Sequence, residues 1–135
     1  MRCFLDANII FSASLPHSRV ATLVGLLFSQ GECVTSNYAL REASKNLRRK
    51  APDQIGHFLL LRRKLGISDK LTPTSVSLPD KDLPILEGAI ALECSHLITG
   101  DEKHFGELWG QTVAGVKIVS PVMMLDELNL KETED

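Results

Sequence analysis

The stretch His96-Leu97-Ile98-Thr99-Gly100-Asp101 decides the reading of this chain, because a short apolar run ends there on a glycine and an acid. The run is too short for a helix and fits a buried strand. Gly100 offers a tight turn, so that the backbone leaves the sheet while Asp101 points back over its edge. Phe4-Leu5-Asp6-Ala7-Asn8 repeats the pattern near the start of the chain, with Asp6 directly after the run Arg2 to Leu5. Two acids in matching positions after two strands outweigh either alone.

Further short apolar runs at Cys33 to Thr35, Thr74 to Val76 and Lys117 to Val119 also read as strands. Between the strands, helical periodicity covers Arg19 to Phe28, Tyr38 to Arg49, Gln54 to Leu65, Leu83 to Cys94 and Val122 to Leu128. Ser18 and either Ser36 or Asn37 suit N-caps, Pro52-Asp53 suits a helix start, and Gly31 and Gly66 suit stops. Leu23, Leu26 and Leu27, then Leu59, Leu61 and Leu65, form apolar stripes expected in the core. Strand and helix in alternation predict an α/β sandwich, a largely parallel sheet covered on both faces. In such sheets ligands bind beyond the carboxyl ends of the strands, where strand order reverses.

With 135 residues, 44% hydrophobic and 24% charged, the chain fits one globular domain over residues 1–130 with a frayed acidic tail at 131–135. The net charge of -2 hides a basic middle: eight of fifteen Lys and Arg lie between Arg41 and Lys64, beside only Glu42 and Asp53. Such a patch attracts phosphate polyanions, although two solvated helix faces would read the same way. Cys3, Cys33 and Cys94 lack any zinc or disulfide spacing and are expected to be buried reduced thiols. A charge at Asp6 interrupts the first apolar stretch well short of a signal peptide or membrane span, so the expected location is cytoplasmic, with no membrane partner.

Two further acids join the strand-end pair. Asp82, in Pro79-Asp80-Lys81-Asp82-Leu83-Pro84, precedes the helix that leads into the strand ending at Asp101. Its ordinary role would be a helix N-cap. Glu42 lies near the start of its helix and could simply pair with Lys45. Four carboxylates converging at one sheet end would repel unless a cation neutralised them, and an oxygen-rich set favours Mg²⁺ or Mn²⁺ over zinc. Such an ion activates water for attack on phosphorus and stabilises the leaving oxygen.

Phe4-Leu5-Asp6-Ala7-Asn8-Ile9-Ile10, Asp80-Lys81-Asp82-Leu83-Pro84-Ile85-Leu86 and Leu97-Ile98-Thr99-Gly100-Asp101-Glu102-Lys103-His104-Phe105 together resemble the PIN-domain family, in particular VapC-like toxins or related toxin components. The resemblance implies a PIN-like three-layer α/β/α sandwich with a five-stranded parallel sheet. It also implies an endoribonuclease acting on single-stranded RNA with Mg²⁺ or Mn²⁺, commonly the toxin of a toxin–antitoxin pair. Asp6, Glu42, Asp82 and Asp101 match the family's acidic positions, Asn8 a polar residue supporting the first aspartate, and Thr99 a small hydroxyl residue beside the last strand. Position 7 is Ala where many members carry a hydroxyl, and position 104 is His where some carry another acid. His104 is expected to support the site by binding phosphate or donating a hydrogen bond, or else to be a surface histidine on a short helix. Asp80 ranks below Asp82 as an accessory acid.

On this reading Asp6 and Asp101 chiefly hold the metal, while Asp82 and Glu42 act through water. Arg41, Lys45, Arg48 and Arg49 are the candidates to track the RNA backbone. The expected partners are RNA, an antitoxin protein, and a second copy of the chain if the middle helices are more apolar than one core needs. Two alternatives stand beside the nuclease: the same fold as an RNA- or protein-binding module with little catalysis, and a phosphatase of the haloacid dehalogenase type. The second needs an acid where this chain has Asn8.

Overall fold

The computed structural model describes residues 1–134, with side chains as far as Asn129. The expected acidic tail, 131–135, lies outside the fully described residues. The chain forms β1 (Arg2–Leu5), α1 (Ala7–Ala13), α2 (Arg19–Gln30), β2 (Glu32–Thr35), α3 (Asn37–Lys50), α4 (Ile55–Lys64), β3 (Gly66–Ile67), α5 (Leu83–Ala91), β4 (His96–Ile98), α6 (Glu102–Phe105), β5 (Thr112–Val113), β6 (Val116–Val119) and α7 (Pro121–Glu134).

The sheet order is β3-β2-β1-β4-β6-β5. Five strands run parallel, and β5 adds a short antiparallel edge against β6. The expected five parallel strands are therefore present, plus one. The sheet grows outward from β1 through β2 to β3, then crosses back to β4 on the other side of β1. Strand order thus reverses between β1 and β4, which places the switch point at the ends of the two strands that precede Asp6 and Asp101.

One parallel strand is not where the sequence suggested. Thr74 to Val76 stays out of the sheet, in an irregular run between Pro73 and Pro79 whose prolines lack the N–H that a ladder needs. Its backbone is tied to α5 instead: Thr72 N–H donates to the Glu87 carbonyl (3.1 Å) and Thr74 N–H to the Glu87 carboxylate (3.3 Å). The fifth parallel strand is Gly66–Ile67, so Gly66 is a strand residue and not a helix stop. Its missing side chain has a packing reason, since a Cβ there would come within 3.0 Å of Val34 Cγ1.

The caps follow the sequence closely. Ser18 accepts from Ala21 N–H (3.0 Å) and Ser36 from Ala39 N–H (3.1 Å), while Gly31 ends α2. Pro52 opens a 3₁₀ turn ahead of α4. The core centres on Phe4, Leu5, Ile10, Leu97, Ile98 and Phe105, all fully buried. Leu59 departs from its expected core role: α4 turns Phe58 inward and leaves Leu59 and its neighbour Leu60 about half exposed. Cys3, Cys33 and Cys94 are buried free thiols, and burial pushes each pKa up to about 12. Among the described residues, no helix is long and apolar enough to cross a membrane.

Candidate active site

Asp6 leaves β1 in extended conformation and caps α1, its Oδ1 accepting the Ala7 N–H at 2.7 Å. Its Oδ2 accepts the Thr99 hydroxyl (2.8 Å) and the Asn8 amide (3.1 Å). The Asn8 side-chain Oδ1 in turn accepts the Gly100 N–H (2.8 Å), and Thr99 Oγ1 accepts the Asp101 N–H (3.2 Å). Asn8 and Thr99 therefore stitch together the carboxyl ends of β1 and β4 and fix both aspartates. Gly100 does this without a left-handed backbone; the left-handed glycines are Gly110 and Gly115. Burial pushes the Asp6 pKa up, and nearby Asp82 adds to the rise, against hydrogen bonds from Thr99, Ala7 and Asn8 that pull it down.

Asp101 caps α6, with Oδ1 accepting the His104 N–H at 3.1 Å. One helical turn on, His104 Nδ1 lies 2.8 Å from Asp101 Oδ2 and 3.2 Å from Asp82 Oδ2. Asp82 occupies the N-cap position of α5, yet its side chain makes no capping bond. It is buried, 8% exposed, and its Oδ2 has no hydrogen-bond partner among the described residues. Burial raises its pKa and the Asp101 charge adds to this, while His104 opposes both.

These groups open into a cleft of about 370 Å³, lined among others by Asp6, Asn8, Tyr38, Glu42, Asp82 and Asp101. Glu42 stands exposed on α3 at the rim and makes no ion pair with Lys45. It lies outside the close group formed by Asp82, Asp101 and His104, whose ligand atoms are all within 4.8 Å of one another. Arg41 and Lys45 line the cleft and also a second groove between α3 and α4, where Arg48 and Arg62 join them. Arg49 is absent from that lining and donates to Asn46 Oδ1 at 3.4 Å.

Tyr38 and Asp69 gave no signal in the sequence. The Tyr38 hydroxyl donates to the Lys81 carbonyl (2.6 Å), pinning the residue next to Asp82. Asp69, just after β3, caps α3, accepting the Asn37 N–H (2.9 Å) and side-chain amide (2.8 Å). Both contacts join segments more than thirty residues apart. No local pattern could announce them.

A divalent cation fits the residues present. Asp82 Oδ2 is a buried carboxylate oxygen with no hydrogen bond among the described residues and only the His104 ring nitrogen near it at 3.2 Å, an arrangement that costs stability unless a cation or proton satisfies it. Asp101 and His104 offer further donors within reach, and Asp6 faces the same cleft.

No protein-family model matches this sequence. No curated protein matches it either. Among solved structures, it is similar to a chain of the VapBC2 complex from Rickettsia felis bound to a promoter DNA fragment, with TM-score 0.65 and 18% identity, covering 89% of this chain and 98% of that one. It is also similar to a chain of VapBC-1 from nontypeable Haemophilus influenzae, with TM-score 0.59 and 19% identity, covering 90% and 99%. The structural neighbours are thus chains of VapBC complexes matched over nearly their whole length, and the fold of this chain is PIN-like, a three-layer α/β/α sandwich with its acids at the switch point of the sheet.

Proposed function

We propose that this protein is a metal-dependent endoribonuclease that cleaves single-stranded RNA and acts as the toxin of a toxin–antitoxin pair. The observation that carries the reading is the gathering of Asp6, Asp82 and Asp101 around one cleft, with a buried Asp82 oxygen that no hydrogen bond satisfies among the described residues. Asp82 and Asp101 would hold Mg²⁺ or Mn²⁺, and Asp6 lines the same cleft from β1 in an orientation set by Thr99 and Asn8. When bound, the ion supplies charge neutralisation at the scissile phosphate and a more acidic water. Glu42, exposed at the rim of the cleft, would act as general base toward the attacking water. Arg41, Lys45 and Arg48 track the RNA backbone along α3 without choosing sequence. The products carry a 5′-phosphate and a 3′-hydroxyl.

The similarity to chains of VapBC complexes supports an antitoxin partner for this chain. The exposed Leu59 and Leu60 on α4 offer apolar surface to such a partner or to a second copy. A cytoplasmic location follows from this role.

The test is cleavage of end-labelled single-stranded RNA with Mg²⁺ or Mn²⁺. Asp6→Asn and Asp101→Asn are expected to slow it by about 100-fold or more. Variants as fast as wild type would overturn the reading. RNA binding without turnover in either metal would favour the binding module, and a covalent phosphate trapped on Asp6 would favour the phosphatase.

A further inference from the structure

His104 is the one nitrogen donor in the close group with Asp82 and Asp101. Its Nδ1 lies against two carboxylate oxygens, at 2.8 and 3.2 Å. Neighbouring ligands on a six-coordinate ion with bonds of roughly 2.1 Å are themselves about 3.0 Å apart. Both contacts of Nδ1 are therefore close to that spacing, and all three ligand atoms lie within 4.8 Å of one another. A neutral imidazole carries its proton on either nitrogen. With the proton on Nδ1 the ring donates to Asp101 Oδ2; with the proton on Nε2, the Nδ1 lone pair faces two carboxylate oxygens, a repulsion that a cation among them relieves. Asp82 Oδ2, buried and without a hydrogen bond, is the second sign that something other than protein belongs there.

We infer that His104 is a metal ligand through Nδ1, which makes this a mixed oxygen–nitrogen site selecting a first-row transition ion such as Mn²⁺ over Mg²⁺. Imidazole favours such ions, whereas Mg²⁺ prefers oxygen ligands and sheds its water reluctantly. The spacing supports the assignment: Asp101 caps α6 and His104 follows one turn later, so a single short helix presents both ligands. Asp82 reaches them from the start of α5. The inference rests on the metal-dependent reading above and narrows its cofactor.

The experiment measures binding, not turnover. The chelator-stripped protein is titrated with Mn²⁺ and with Mg²⁺, and the bound Mn²⁺ is examined by electron spin-echo spectroscopy for coupling to nitrogen. Wild type is expected to bind Mn²⁺ about 10-fold or more tightly than Mg²⁺ and to show coupling to an imidazole nitrogen. His104→Asn and His104→Gln, checked for native circular dichroism, are expected to lose the coupling and about 10-fold in Mn²⁺ affinity, with Mg²⁺ affinity little changed. Mn²⁺ bound without nitrogen coupling, or an unchanged preference in both variants, would overturn the inference and leave the carboxylate site standing. Failure of folded wild type to bind either ion would overturn both.

Discussion

Asp6 and Asp82 bind their protons more tightly in the folded chain than in the unfolded one, chiefly because burial penalises their charged forms. Their contribution to stability is full below the ordinary carboxylate pKa of 3.8 and is lost as pH rises through the raised folded values. In the metal-free protein, Asp82→Asn is therefore expected to gain stability relative to wild type as pH rises from about 4 to about 7. Melting curves of the two proteins that stay parallel across that window would contradict it. Thr99 makes a second prediction at this scale. Its buried hydroxyl donates to Asp6 and accepts from the Asp101 N–H, so Thr99→Val leaves both aspartates short of a partner. Urea unfolding should show a loss of about 1–3 kcal/mol. The placement of Asp6 and Asp101 was legible because each directly follows a strand. His104 stands one turn after Asp101, a spacing the sequence displays, but on a helix of four residues its direction depended on where Asp82 would lie.

Asp82 is carried by α5, and the approach of α5 to the sheet is set by a contact no local pattern reveals. Gly88 lies against the fully buried Phe4 ring, where a Cβ would meet Cε2 at 3.1 Å and Cζ at 3.3 Å. Gly88→Val must push α5 away from β1. The expected cost is about 1–3 kcal/mol, accompanied by weaker Mn²⁺ binding because Asp82 moves with its helix. Denaturation and calorimetric titration of the same variant check both. Unchanged metal affinity in a destabilised variant would show that α5 does not set the site. The long helices and their serine caps were readable from periodicity and residue chemistry. Helix α1 was not, because Ala7 to Ala13 is short and rich in buried apolar residues, with β-branched Ile9 and Ile10 that suit a strand equally well. The same ambiguity made Thr74 to Val76 look like a strand and hid the two-residue β3, which only pairing with β2 defines.

Across the whole molecule, a chain of net charge -2 concentrates basic residues on α3 and α4, next to an acidic cleft. The charge run was plain in the sequence; which cations share a groove was not, since Arg62 joins Arg41, Lys45 and Arg48 only through the packing of α4 on α3. Replacing Arg48 or Arg62 by Glu is expected to weaken binding of single-stranded RNA to cleavage-inactive Asp101→Asn. Each lost phosphate contact should lower the slope of log affinity against log salt by about 0.7. Filter binding at several salt concentrations reads this directly, and unaltered affinity and slope would exclude the groove as the RNA path. The central claim is that the acids at the β1/β4 switch point cleave RNA by holding a divalent ion. Single-turnover cleavage of a labelled single-stranded RNA, followed as Mn²⁺ is returned to the chelator-stripped protein, tests it most directly. The rate should rise from nil along the same curve as Mn²⁺ occupancy, and Asp82→Asn should shift both to higher Mn²⁺. Cleavage that persists in chelator, or that does not follow Mn²⁺ occupancy, would contradict it.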